Sequence, residues 1–526
     1  MVQRGTPSNS FPTDVVTYHY NAGRLGLNSL ETTLTTSNVN SSSFGKLGLY
    51  PVDGKVDAQP LYLNQLNVQG NLHNTLFVVT ENDSVYAFDA DTGAQLWRVS
   101  ALGPGETPSD DHGCSQITPQ IGITDTPVID RQQGPNGAIY FVAMTKDSSQ
   151  NYHQRLHALD LTTGAELFGG PKEIQATYPG SGDGSQGGQV IFAPGQYAER
   201  AGLLEYALRL DVRDNYVTIY IAFTSHCDYR PYTGWLMAYD GSTLAQKSVL
   251  NLTPNGNEGA IWMAGAGLAA DTAGNVYFLD ANGTFDTTLN SRGFPVNGDY
   301  GNSFIKVSSS TIQGGLAVDD YFAMHNTVQE SNADEDLGSG GTMVLPDILD
   351  NSQQIHHLAV GAGKDTNIYV VNRDNMGKFN PSNDNAIYQE IDGVLSGGVW
   401  AMPAFFNNTV FYGSVGDPLE AFSIVNAKLS TSPVGQTPTS FAYPGTTPSI
   451  SANGTSNGIV WAVENANPAV LHAYDATNLS NELYNSNQAG SRDQFGPGNK
   501  FITPVIVNGK VFVGTQNGVA VFGLLH

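Results

Sequence analysis

The stretch SHCDYRPYTGW, residues 225–235, gathers more chemically useful side chains than any other in the 526-residue chain. Arg230 is a fixed cation with a planar fork of donors, suited to a carbonyl or enolate oxygen. His226 can donate or accept a proton near neutral pH. Tyr229 and Tyr232 offer flat faces with one polar tip. The plainer reading of the same loop is a turn stapled by Cys227, with its aromatics packed on the nearest sheet. A second stretch, DDHGC at 110–114, supplies His112 and Cys114. Lys364 adds another donor. Trp262, Trp400 and His325 lie between strand-like runs. The candidate catalytic set is therefore Arg230, His226 and Lys364. The candidate substrate contacts are Tyr229, Tyr232, Trp262, His325, Trp400 and His112. Such a set polarises a carbonyl held against aromatic faces.

Several other motifs fail on inspection. GAGKDT (361–366) has Asp365 where a phosphate loop needs Ser or Thr, and the strand-like NIYVV follows it. GSGDGSQGG (180–188) is read as a flexible connecting loop. DADTG (89–93) is too short for a calcium loop and reads as a hairpin turn. His153 and His157 have zincin spacing, but four residues of strand span about 13 Å, too far for one metal. His356 and His357 are adjacent and should face opposite ways. There is no G-x-S-x-G elbow and no C-x-x-C-H haem motif.

The elements that must position these residues repeat. VYAFDADTGAQLW (85–97), LHALDLTTGAELF (156–168), LMAYDGSTLAQKS (236–248) and LHAYDATNLSNEL (471–483) each read as an alternating apolar run, an Asp, a turn and a second run. That is a repeated β-hairpin. Short strands open each unit, at Ala58, Thr126, Gly202, Gly265, Gly341, Ala401, Thr447 and Thr503. The period is roughly 60 residues, which suits four-stranded propeller blades with long loops. The eighth unit lacks an outer strand, and FGKLGLYPV (44–52) is the segment expected to complete it. The fold expected is all-β: one eight-bladed propeller over residues 1–526, closed by an N-terminal strand, with 1–43 packing on it.

In that topology, the loops between second and third strands and those between blades open on one face. They carry Glu81, Lys146, Asp228, Asp365, Asp417 and Glu464, and also Asp111, Arg492 and Asp493, together with the candidates above. The only two cysteines, Cys114 and Cys227, fall on this face. They either form a disulfide or are two unrelated thiols.

The AFDADTGAQLW phrase resembles the repeat of pyrroloquinoline-quinone (PQQ) propellers, a group that includes quinoprotein dehydrogenases and cofactor-free scaffolds. With VNSSSFGKLGLYPVDG, DLGSGG, VNRDNMGKFN and TPSISANGTSNGIVWA, the whole chain resembles a set of secreted microbial propellers. Fungal relatives in that set include hetero-Diels–Alderases of tropolonic sesquiterpene biosynthesis. The resemblance implies a cofactor-free cycloaddition on an apolar small molecule, within secondary metabolism. The alternatives are a PQQ- and calcium-dependent oxidoreductase and a non-catalytic scaffold of the outer-membrane assembly type. Alcohol-type quinoprotein dehydrogenases carry a vicinal Cys–Cys ring, and no two cysteines are adjacent here.

Composition narrows the partners. A net charge of −25 argues against nucleic acid and anionic membranes. No apolar run reaches transmembrane length. A monomer is expected. MVQRGTPSNS has no apolar leader, yet the resemblance points to secretion, so a leader replaced by Met is expected. Seven N-x-S/T sequons, at Asn40, Asn82, Asn251, Asn282, Asn407, Asn453 and Asn478, add little in a chain this rich in Asn, Ser and Thr.

Overall fold

Why the chain makes hairpins is visible at one repeated residue. Asp89 Oδ1 accepts the backbone N–H groups of Asp91 and Thr92 and the hydroxyl of Thr92. Asp160 does the same for Thr162 and Thr163, Asp240 for Ser242, and Asp475 for Thr477. A carboxylate that satisfies two or three turn donors fixes the hairpin and its register.

The computed structural model describes residues 13–209, 215–308 and 315–525, although nothing is said of the side chains at 207–216. Residues 1–12 of the expected extension lie outside the described residues. Among the described residues, eight sheets of four or more strands follow one another along the chain. The first runs Leu61–Val68, Asn71–Val79, Ser84–Asp89 and Gln95–Ser100. The eighth is Val505–Val507, Lys510–Gly514 and Gly518–Leu524, completed by Phe44–Pro51, which pairs antiparallel with the last strand. Joining the two ends of the chain in one sheet closes the ring and removes an edge. The fold is thus an all-β propeller.

Second strands such as Ala138–Lys146 are buried along almost their whole length, while the closing strand Phe44–Pro51 alternates buried and exposed. Neighbouring blades are tied by packing and by bonds such as Trp97 indole N–H to Leu161 O, 3.0 Å. One sequence reading changes here. The Gly-rich run 180–188 is part of a small three-stranded sheet, formed by Thr177–Pro179, Ser185–Gln186 and Gln189–Ile191. Its glycines accommodate tight turns at positive φ, at Gly184, Gly187 and Gly188.

The channel of the propeller is not empty. Residues 15–28 cross it and touch the opening strand of every blade. Val15 exchanges two backbone bonds with Tyr62, and Val16 O accepts from Ile129 N–H. Ala22 O, Gly23 O, Leu25 O and Gly26 O accept from Ala270, Val344, Phe405 and Ile450. Tyr20 and Asn28 bond to the backbone of Ile506. Arg24 serves the third and fourth blades, donating to Leu203 O (3.1 Å) and Leu268 O (2.8 Å), and also to Tyr18 O (2.8 Å) and Thr17 Oγ1 (2.6 Å). The segment thereby gives partners to strand edges that face the channel. His19, Tyr20 and Arg24 hold positive φ angles of 53°, 70° and 63°, a backbone state that persists only when its surroundings impose it.

Arg24 is fully buried, and truncating it leaves four oxygens without a donor. Arg24→Ala should lower unfolding stability by at least about 3 kcal/mol. Chemical denaturation of the two proteins measures this, and a difference below 1 kcal/mol would show that the crossing segment is not integral.

Candidate functional site

Each opening strand is preceded by a loop that reaches the channel mouth. Counting back two residues from Gln59, Thr126, Gly202, Gly267, Thr342, Met402, Thr447 and Thr503 gives Asp57, Thr124, Arg200, Gly265, Gly340, Trp400, Gly445 and Phe501. Five of these eight positions carry side chains, and three are glycines that leave space. A Cβ at Gly265 would collide with the Arg200 guanidinium.

Arg200 is the centre of this ring. It is 1% exposed. Its Nη1 donates to Thr124 O at 2.8 Å, while Nε and Nη2 have no partner. Its guanidinium lies 5.8 Å from the Phe501 ring. A buried guanidinium with two idle N–H groups is costly unless something accepts from them.

Two carboxyl pairs flank it. Asp125 and Glu199 are buried neighbours, and no donor reaches Asp125 Oδ1 or either Glu199 carboxylate oxygen; burial holds Asp125 up to about 7 and Glu199 well above the usual range. Glu81 is likewise raised, by burial and then by Asp57 beside it. Asn499 Nδ2 donates to Asp57 Oδ1 at 2.9 Å. Two carboxyls in one dry site share a proton rather than both ionise. The mouth therefore holds carboxyls raised above their ordinary range, Asp125 to about 7, beside a permanent cation.

A lid covers the mouth. The loop 111–119 is anchored at one end by the Cys114–Cys227 disulfide, with Cα atoms 5.5 Å apart. Its tip is held by Lys500 Nζ to Ser115 O (2.8 Å), Tyr443 hydroxyl to Gln116 Oε1 (2.7 Å) and Lys55 to Thr118 O. Ile117 packs beneath it in an apolar cluster with Ile121, Met144, Ala198, Ala264 and Phe501, against which Trp262, Trp400 and Tyr443 lie. Trp262 meets Phe501 edge-on at 5.4 Å, and Trp400 meets Tyr443 the same way at 5.4 Å.

The sequence candidates divide on this geometry. Trp262 and Trp400 are in the mouth. His112 and His226 stack at 4.0 Å beside the disulfide. Burial pushes His226 down to about 3, so it is a neutral ring, and its Nε2 has no partner. Lys364 pairs with Asp336 at 2.6 Å and with Asp334. Against the penalty of burial, Asp336 and then Asp334 raise its pKa and hold it charged. Arg230 points elsewhere. Its fork is bidentate on Asp183 at 2.7 and 2.9 Å, and its side chain is 50% exposed. Tyr229 is exposed, and Tyr232 is buried with its hydroxyl on Asp228 at 2.7 Å. His325 pairs with Asp384 at 2.6 Å in a separate cavity. His153 and His157 bind different carboxylates, Glu173 and Glu166. Among the described residues, no three His, Cys, Asp or Glu side chains are grouped to hold a metal ion. Arg200, Asp125 and Glu199 escaped the sequence reading because they belong to no motif: Glu199 ends the short strand Tyr197–Glu199, Arg200 follows it, and Asp125 lies 74 residues earlier in the chain. Their one signal was position, a fixed step before each opening strand.

No family model matches the chain, and no curated protein sequence matches it. Solved structures do. Quinohemoprotein alcohol dehydrogenase from Comamonas testosteroni is 15% identical with a TM-score of 0.61, over 99% of this chain and 83% of that one. Quinohemoprotein alcohol dehydrogenase ADHIIG from Pseudomonas putida HK5 is 12% identical with a TM-score of 0.60, over 98% and 80%. A europium-containing methanol dehydrogenase is 13% identical with a TM-score of 0.58, over 98% of each chain. At such identities the likeness establishes the class of fold, a PQQ-repeat-like β-propeller. Among the described residues, no helix is long and apolar enough to cross a membrane.

Two outcomes follow. Cys114→Ser should destabilise the protein by about 4 kcal/mol, since the bond closes a chain separation of 113 residues; equal stability would mean that packing alone anchors the lid. The second concerns pH. Asp125 titrates near 7 when folded but near its ordinary value when unfolded, so its stabilising contribution is present at pH 4 and is lost as pH rises through 7. Asp125→Asn should therefore flatten the fall in stability between pH 5 and 8. Denaturation midpoints at both pH values test this, and an unchanged slope would contradict it.

Proposed function

We propose that the chain is a small-molecule enzyme that holds a carbonyl- or alcohol-bearing ligand at the channel mouth, under the 111–119 lid and against Arg200. The observation that carries this is the buried guanidinium with unpartnered Nε and Nη2. A carbonyl or enolate oxygen would accept both hydrogens in one plane, in a site already cleared of water. Trp262, Trp400, Phe501 and Tyr443 supply flat apolar walls. Asp125 and Glu199 sit where a proton leaving a hydroxyl or carbon has an acceptor poised near neutral pH.

An acid–base pair beside a polarising donor suits the interconversion of an alcohol and a carbonyl. A cycloaddition moves no proton and makes no use of it. The reading favoured is therefore a quinoprotein-like oxidoreductase, in the direction of the structural neighbours named alcohol and methanol dehydrogenases. A bound ortho-quinone would supply the electron acceptor. Arg200 fits its oxygens or carboxylates, and Trp262 and Trp400 fit its plane. The accompanying metal fits less well, because the carboxyls of the mouth fall in two separate pairs and, among the described residues, no three such side chains are grouped to ligate one. That last observation keeps a second reading, the cofactor-free cycloaddition expected from the sequence resemblance, in which Arg200 polarises the oxadiene. The disulfide agrees with a secretory-pathway protein.

The test is a titration with PQQ, with and without calcium, followed by turnover of simple alcohols with an artificial electron acceptor. Arg200→Lys keeps the charge but loses the fork, and it should cost roughly a hundredfold in turnover, about 3 kcal/mol of barrier. Arg230→Ala should change turnover less than threefold. If Arg200→Lys retains full activity, the mouth is not the site. If the protein ignores PQQ yet joins a quinone methide to an apolar alkene, the second reading replaces the first.

A further inference from the structure

A second cavity lies away from the mouth chemistry, between the fourth and fifth blades. Its volume is about 630 Å³. It is lined by Asp384, Glu330, Glu390 and Asp392, by His325, and by Asn and Gln side chains including Asn326. No Lys or Arg lines it. His325 is committed to Asp384, which also accepts the His325 backbone N–H at 2.7 Å. The cavity is thus an acidic hollow without a resident cation of its own.

Acidic surfaces are common on a chain of this charge, so the deciding feature is Glu330. It sits on the short helix Thr327–Ala333, is only 6% exposed, and lines the hollow. Its Oε1 accepts from Asn326 Nδ2 at 2.8 Å, while Oε2 is buried with no partner. A buried carboxylate oxygen without a donor marks a place where a donor belongs. The groups facing Glu330 are all of its own sign: Asp365, Glu335 and Asp384. Burial, then Asp365, holds it up to about 8. Glu390 is held up to about 7 by burial, then by Asp384, Asp392 and Asp365, against His325. The carboxyls packed here raise the cost of negative charge on one another, with His325 and Asn326 acting against them, and a bound cation would relieve it.

We propose that this hollow is a binding site for an organic polyammonium ligand, with one ammonium on Glu330 and a second reaching Glu390 and Asp392. A metal ion is the poorer occupant. No three of these side chains are close enough together to ligate one, and a hard cation needs six or more oxygens around a point. Carboxyls spread over a wide hollow, with amide oxygens between them, match the spaced charges and multiple N–H donors of an aliphatic polyamine. The proposal is independent of the reaction at the mouth.

The probe is spermidine, followed by calorimetry in physiological salt, with calcium chloride and a neutral methyl glucoside as separate arms. One site per chain is expected. Affinity should rise between pH 6 and 8.5, as Glu390 and then Glu330 lose their protons. Glu330→Gln keeps the bond to Asn326, and it should weaken binding at least tenfold. Asp392→Asn, at the exposed rim, should weaken it about threefold. Asp91→Asn, on the first blade, removes one charge from the whole molecule and should change nothing. Equal losses in all three variants would reduce the effect to diffuse attraction and overturn the proposal. Tighter binding of calcium or of the glucoside than of spermidine would overturn it as well. Should Glu330→Gln fail to fold, Asp392→Asn against Asp91→Asn decides alone.

Discussion

A ring of eight sheets has an unavoidable fault at its centre. The opening strand of each blade shows a free edge to the channel, and a backbone edge without partners is expensive in a place that excludes water. Residues 15–28 resolve this by passing across all eight edges in turn, with Arg24 serving two blades through a single side chain. Much else depends on that crossing. It fills the channel below the mouth and seats Tyr18 under the ring, with its hydroxyl on Thr503. A ligand at the mouth would have to lie between the crossing segment and the lid. Arg200 is the one fully buried cation of the ring residues that bound the mouth.

The groups that line the mouth are buried, which sets its chemistry. In such a place a guanidinium and the carboxyls beside it interact far more strongly than at a surface. Closure also raises the question of entry. The lid tip is held by a few hydrogen bonds, and one end is anchored by Cys114–Cys227. That arrangement suits a hinged strap, opening from the Lys500 and Tyr443 side while its disulfide end stays in place.

Much of the architecture was legible in the sequence. The Asp89, Asp160, Asp240 and Asp475 turns are local, so their residues announce them. The closing strand was legible because a missing outer strand and a spare apolar run were the only two unmatched pieces. Loop geometry put both cysteines on one face and left a disulfide and two separate thiols open; the structure has the disulfide. What could not be read were contacts between segments far apart. Arg230 sits in the densest loop, yet Asp183, 47 residues away, captures it. Arg200 stands alone, with Thr124 as its one hydrogen-bonding neighbour, so no motif points to it. The crossing segment has no period, because its residues pair with many different blades and its one ladder, Leu27–Asn28 against Ile450–Ser451, is two residues long.

The most direct test of this account is a crystal structure of the protein grown with an excess of PQQ. One of its oxygens would lie within hydrogen-bonding distance of Arg200 Nε or Nη2, near Trp262 and Trp400, with the 111–119 loop over it. A quinone ordered elsewhere on the propeller, with the Arg200 guanidinium still lacking a second partner, would contradict it.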